Sequence, residues 1–120
     1  MFVALWEFEV KQGSEEKFEK TYGPRGSWTK LFEKSGGYQG TRLLRDVQRA
    51  RTYLTLDCWS TREEYEQFLR DRRKEYEALD RSGERLTARE TRIGNFQEDG
   101  ERPPADTKRK PRERNARGTS

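Results

Sequence analysis

The sequence predicts an α+β domain over residues 1–97 followed by a disordered basic tail over 98–120. The domain is ferredoxin-like with the order βαββαβ, a four-stranded antiparallel sheet carrying its helices on one face. Three observations predict it. All 14 aromatic residues lie between Phe2 and Phe96, so the capacity to build a core stops there. Runs with a period of two alternate with runs of helical spacing in the order strand, helix, strand, strand, helix, strand. The segment from Glu98 to Ser120 holds no Val, Ile, Leu, Met or aromatic residue, and its seven basic and five acidic residues keep it solvated.

The first element, Phe2 to Val10, puts Phe2, Ala4, Trp6, Phe8 and Val10 on one face and Val3, Leu5, Glu7 and Glu9 on the other, which predicts a strand. After a turn at Lys11-Gln12-Gly13, Ser14 is placed to cap a helix whose first turn carries Glu15 and Glu16 beside the positive helix end. Phe18 and Tyr22 share a face of that helix, and Gly23-Pro24 ends it. Trp28, Leu31 and Phe32 form the stripe of a second short helix from Ser27, stopped at Ser35-Gly36-Gly37.

Two further strands are expected at Tyr38 to Leu44 and Arg51 to Trp59. In the second, Leu54, Leu56 and Cys58 face one way and Tyr53, Thr55, Asp57 and Trp59 the other, so both faces have something to bury. Ser60 with Glu63 reads as a capping box opening one helix from Thr61 to Asp80, with Tyr65, Phe68, Leu69, Tyr76 and Leu79 at helical spacing. A loose stretch from Glu84 to Arg89 leads to a last strand near Glu90 to Gln97. Helices on one side leave the other sheet face bare. Because a monomer rarely exposes such an apolar face, the pattern predicts a homodimer.

Composition excludes several classes of function. The chain has no histidine, which removes Ser-His-Asp and Cys-His catalysis, histidine-ligated haem and the common zinc sites. With one cysteine, Cys58, no intrachain disulfide forms, which fits a reducing, cytoplasmic compartment. The longest apolar run, Phe2 to Trp6, is too short for a membrane span or signal peptide. No glycine-rich phosphate loop or nucleophile elbow is present. The net charge of +4 is mild, and the basic cluster Lys108 to Arg114 lacks the aromatic interleaving of single-strand binders. Both features argue against a nucleic-acid partner and for a solubilising tail.

Five stretches together resemble one family: WEFEVKQGSEEKFEKTYG, YGPRGSW, GYQGTRLLRD, YLTLDCWSTREEYEQF and RLTARETRIGNF. From Met1 to Phe96 the chain resembles the antibiotic biosynthesis monooxygenases, which are dimeric α/β barrels. The resemblance implies an enzyme that oxidises phenolic or polycyclic aromatic substrates with molecular oxygen and no bound cofactor, or a non-catalytic barrel that binds a small molecule or acts as an accessory subunit. The haem-degrading branch of that family uses an asparagine on the first strand and an iron-ligating histidine. That branch also uses a tryptophan at the end of the third strand, which Trp59 matches, but this chain has Trp6 or Glu7 in place of the asparagine and no histidine, which argues against haem degradation of that type.

Oxygenation without a cofactor needs an apolar pocket, a base to deprotonate the substrate, and donors for the developing anion. Trp6, Trp28, Tyr38, Tyr53 and Trp59 are the candidates for walls that hold a small hydrophobic aromatic molecule; the alternative for each is ordinary core packing, since large aromatics dominate small cores whether or not a ligand binds. Asp57, mid-strand between Leu56 and Cys58, is the candidate base, and its alternative role is a salt bridge to Arg42 or Arg92. Arg42 is the candidate anion stabiliser, or else a solvated surface charge. Cys58 reads as a small buried hydrophobe.

Overall fold

Phe2–Val10 forms β1 because its period-two pattern gives it one fully apolar face: Phe2, Ala4, Phe8 and Val10 are buried and Trp6 half-buried. The computed structural model of the chain describes residues 1–100; the expected tail beyond Gly100 lies outside the described residues. The remaining elements are α1 (Glu15–Tyr22), α2 (Ser27–Phe32), β2 (Tyr38–Arg45), β3 (Thr52–Trp59), α3 (Arg62–Asp71), α4 (Arg73–Gly83), a 3₁₀ turn over Glu84–Leu86, and β4 (Thr87–Gln97). All strand pairs are antiparallel in the order β2-β3-β1-β4, the ferredoxin-like arrangement.

Register sorts the side chains into two faces. Phe2 pairs with Trp59, Ala4 with Asp57, Trp6 with Thr55 and Phe8 with Tyr53, so these residues share the face on which the helices pack. Phe18 and Tyr22 of α1, Trp28, Leu31 and Phe32 of α2 and Phe68 of α3 close over it in one continuous core. Val3, Leu5, Leu54, Leu56 and Cys58 occupy the opposite, uncovered face together with Leu44 and Phe96.

Four local expectations are corrected. The Ser14 side chain caps nothing; the Gly13 N–H is taken instead by the Glu15 carboxylate at 2.8 Å. The cap of α3 is Thr61 rather than Ser60, its Oγ1 accepting from the Glu64 N–H at 3.1 Å. The single helix expected from Thr61 to Asp80 is two, broken at Arg72, where φ is −118° and ψ 30°. Phe68 packs under α2 against Phe32 and Trp59, while Tyr76 packs on Trp28. Eight residues apart, the two side chains would point about 80° away from each other on one straight helix, and the break brings both to the core. Finally, β4 begins at Thr87, three residues earlier than the alternation suggested, because the 3₁₀ turn delivers the chain directly to Val10 of β1.

A bulge in β2 determines what faces Asp57. Between Tyr38 and Gly40 the pairing with β3 slips by one residue, and Gly40 takes a φ of +117° that favours glycine. The slip reverses the alternation. Tyr38 and Thr41 therefore share the helix-covered face, and Arg42, paired with Leu56, goes to the uncovered one.

Candidate active site

Between the sheet and the helices lies a cleft of about 40 Å³ that opens to the surface, room for on the order of two or three waters. Its floor is sheet: Trp6 and Phe8 from β1, Thr55 and Asp57 from β3, and Glu90 from β4. Its roof is helical: Tyr22, Trp28 and Phe32 from α1 and α2, with Tyr76 and Asp80 from α4. The spacing of four between Tyr76 and Asp80 puts them on one face of α4, and the break at Arg72 turns that face inward.

Asp57 is the chemically distinctive group. Part of its surface faces the cleft, and burial among aromatic rings disfavours its charged form, so its carboxyl is raised from 3.8 to about 6. One hydrogen bond works the other way: Thr41 Oγ1 donates to Asp57 Oδ1 at 2.8 Å. Since the Thr41 proton is committed there, the hydrogen bond between Tyr38 and Thr41 must run from the Tyr38 hydroxyl to Thr41 Oγ1. The longer 3.4 Å contact from Tyr38 to Thr29 competes for the same proton. A hydroxyl chain thus anchors the rear of Asp57 and leaves its second oxygen uncommitted. No Lys or Arg forms an ion pair with it among the described residues.

Two indole donors are buried without acceptors among the described residues, Trp28 Nε1 and Trp59 Nε1. Trp28, 8% exposed, lines the cleft. It stands over Tyr76, edge to face at 4.9 Å between ring centres, and beside Tyr22 at 6.1 Å. Its N–H comes close enough to the Tyr22 hydroxyl to favour the phenolate slightly, but not in the geometry of a hydrogen bond, which leaves it an uncommitted donor. Burial dominates at both tyrosines, raising Tyr22 to about 12 and Tyr76 further, so both stay protonated near neutral pH.

Of the residues singled out from the sequence, the fold brings Asp57, Trp6 and Trp28 together in the cleft. The others stand elsewhere. Trp59, with no exposed surface, is packed among Phe32, Tyr38, Tyr65 and Phe68 in the core. Tyr53 is buried between β3 and α1 with its hydroxyl donating to Glu19 Oε2 at 2.6 Å. Tyr38 supports the site from behind through Thr41. Arg42 lies on the far face of the sheet and cannot stabilise an anion beside Asp57, which corrects the expectation that the two act together. Missing from that set were Tyr22, Phe32, Tyr76, Asp80 and Glu90, which distant elements contribute. The one signal that pointed to Thr41 was Gly40, a glycine inside a strand pattern, the usual mark of a bulge.

Comparison with known proteins agrees with this architecture. A family model described as antibiotic biosynthesis monooxygenase matches residues 1–78. SnoaB, a cofactor-independent oxygenase from Streptomyces nogalater, superposes with a TM-score of 0.64 at 16% identity, covering 82% of this chain and 92% of that one. A point mutant of MhuD, solved with two manganese protoporphyrin IX molecules per active site, gives 0.59 at 20% identity, covering 82% and 94%. An uncharacterized NIPSNAP domain protein from Burkholderia xenovorans gives 0.60 at 12% identity, covering 86% and 99%. At these identities the likeness is one of fold. No curated protein matches the chain by sequence.

Proposed function

The chain belongs to the antibiotic biosynthesis monooxygenase family, and we propose that it is a homodimeric, cofactor-independent monooxygenase acting on a phenolic or polycyclic aromatic substrate in the cleft at Asp57. The observation that carries this reading is a carboxyl raised to about 6 that faces a cleft lined by aromatic residues. A base in that range is ionised near neutral pH yet still basic enough to draw a proton from an activated phenol or anthrone. The cleft admits the reacting edge of a ring while the rest of the substrate stays at the mouth.

The chemistry follows from what oxygen requires. Asp57 takes a proton from the substrate, and the resulting carbanion or phenolate passes one electron to molecular oxygen. Recombination of the radical pair forms a carbon–oxygen bond, giving a peroxide that is protonated by Asp57. Loss of the second carbon-bound proton then expels the distal oxygen as water and leaves a carbonyl, so that one CH₂ and one O₂ become one C=O and one H₂O. Trp6 and Trp28, which line the cleft with Asp57, hold the substrate ring.

A porphyrin of the kind bound by MhuD does not suit these residues, since the chain contains no histidine and the cleft is narrow. The dimer is proposed from the uncovered sheet face, where Leu44 and Phe96 are 38% and 49% exposed beside Val3, Leu5, Leu54 and Leu56.

The test is oxygen uptake by the full chain with a panel of anthrones and hydroquinones. Uptake above the spontaneous rate is expected, falling on the order of a hundredfold or more in Asp57→Asn while that variant stays folded. Equal uptake in both proteins would remove Asp57 as the base. No uptake from any substrate would favour a non-catalytic binding barrel.

A further inference from the structure

A strand bulge decides which side chain stands beside Asp57. In a regular pairing of β2 with β3, Gly40 would lie opposite Asp57 and Arg42 diagonally beside it on the same face, within reach of its carboxylate. The one-residue slip after Tyr38 leaves the extra residue, Gln39, exposed, sends Arg42 to the other face and sets Thr41 directly opposite Asp57. Gly40 carries the slip with its φ of +117°, and a side chain there would meet nothing within 4 Å, so the glycine serves the backbone conformation and not packing. An arginine beside Asp57 would hold it ionised as a weak base. A hydroxyl does so far less.

That hydroxyl is itself held. Thr41 Oγ1 donates to Asp57 Oδ1 at 2.8 Å and accepts from the Tyr38 hydroxyl. Behind Tyr38 stands the buried Thr29, whose Oγ1 donates to the Gly23 carbonyl at 3.1 Å. Reversing the chain, with Asp57 donating to Thr41, would turn the Tyr38 hydroxyl to Thr29 across 3.4 Å, longer than the roughly 2.5–3.0 Å of a good O–H···O bond. The direction towards Asp57 therefore holds whether or not the carboxyl carries its proton. Oδ1 stays an acceptor, and the acid proton is confined to Oδ2, which has no partner among the described residues and is not sealed from the cleft that Asp57 lines. No charge intervenes. Tyr38 of β2, Tyr65 of α3, Tyr76 of α4 and the adjacent Cys58 sense the charge of Asp57, and burial raises each of them, so all are neutral near pH 6. Arg92 of β4 acts on Tyr65 but not on Asp57, and Asp80 and Glu90, which line the same cleft, do not shift it.

We propose that Thr41, set in place by the Gly40 bulge and backed by Tyr38, is the positioning residue that fixes the Asp57 carboxyl so that Oδ2 takes the substrate proton and gives it back. Thr41 touches no substrate and acts only through Asp57. This role rests on the reading of Asp57 as the base, yet the contact behind it is measurable without turnover.

The Asp57 carboxyl is followed by carbon NMR through a pH titration of the full chain, its signal identified by loss in Asp57→Asn, and oxygen uptake from an anthrone is measured over the same range. Thr41→Val removes the hydrogen bond that favours the charged form. The Asp57 midpoint is then expected to rise from about 6 by on the order of one pH unit, and the acid limb of uptake to rise with it. Uptake at pH 6 falls about fivefold as a result. Thr41→Ser, which keeps the hydroxyl, restores both, and Tyr38→Phe gives a smaller rise in the same direction. Arg42→Ala leaves the midpoint in place. A midpoint unmoved in Thr41→Val, no rescue by serine, or a midpoint that rises in Arg42→Ala would each overturn the proposal; if the valine variant does not fold, an unmoved midpoint in Tyr38→Phe overturns it. The expected titrations without uptake in any of these proteins would sink the oxygenase reading and leave the hold of Thr41 on Asp57 standing; uptake whose acid limb ignores Thr41 would do the reverse.

Discussion

The two faces of the sheet are made from the same strands but from different kinds of residue. The helix-covered face is aromatic: Phe2, Phe8, Tyr53 and Trp59 are 4% exposed or less, and α1, α2 and α3 add Phe18, Tyr22, Trp28, Phe32 and Phe68. The uncovered face is aliphatic and small, with Val3, Leu5, Leu54, Leu56 and Cys58 across the middle strands. Toward one end it becomes charged, where Arg49 pairs with Glu7 at 3.2 Å and Arg89 with Glu9 at 3.9 Å. The difference teaches how a small chain divides its apolar residues. Large rings fill the space between a twisted sheet and four short helices, and their irregular packing leaves a cleft with polar groups at its edges. Aliphatic side chains standing on a regular pleat make a flatter surface, suited to a second sheet.

The largest contrast is expected from truncating the buried face. Trp59→Ala removes a side chain with no exposed surface and contacts to four aromatic rings, and should cost about 3–5 kcal/mol, read as a fall in the midpoint of thermal unfolding. A loss under about 1 kcal/mol would show that the core repacks and that its aromatic character is not what stabilises the domain.

Next in size is the effect of Asp57. Its folded-state value is about 6 against an ordinary 3.8, so the native chain holds this proton more tightly than the unfolded chain. The protonated form therefore supports full stability below about pH 3.8, and stability falls as pH rises from there to about 6. Above that the desolvated charge costs about 2–3 kcal/mol. Asp57→Asn, which keeps an acceptor for Thr41, should accordingly be more stable than the parent by about that amount at pH 8 and no different at pH 4. Denaturant titrations at the two pH values measure it; a variant equally stable or less stable at pH 8 would contradict the burial on which the base assignment depends. Loss of uptake with a gain in stability would be the signature of a group retained for chemistry rather than for folding.

The smallest expected change tests the other face. Leu56→Lys puts a charge at the centre of the uncovered sheet and should weaken self-association at least about tenfold, seen by sedimentation velocity over a concentration series, with little change in monomer folding. A parent chain that is monomeric at every concentration would mean that something other than a second copy covers this face.

Much of the fold was legible because its evidence is local. The period-two alternation of β1 and β3 predicted which residues share a face, and the register shows Phe2, Ala4, Trp6 and Phe8 opposite Trp59, Asp57, Thr55 and Tyr53. Gly23-Pro24 ended α1, and Trp28, Leu31 and Phe32 were read as the buried stripe of α2. Local rules failed where a neighbour intervened. Strict alternation puts Arg42 on the same face as Tyr38, and only the slip at Gly40 shows that it is Thr41 that meets Asp57. Helical spacing ran unbroken through Arg72, because nothing in the residues around it records that Phe68 and Tyr76 have different partners to reach.

The sequence by itself determined the strand and helix order, the aromatic face, the place of Asp57 on it and the absence of histidine chemistry. These are properties of composition and of periods two and 3.6, which a chain carries wherever it folds. The tertiary structure decided which aromatics became wall and which became core, and it brought Tyr76 and Asp80 of α4 and Glu90 of β4 to the cleft with Asp57 of β3. It also turned Arg42 away. Those outcomes depend on a one-residue slip and a helix break, small displacements of backbone whose causes lie in packing between segments far apart in the chain.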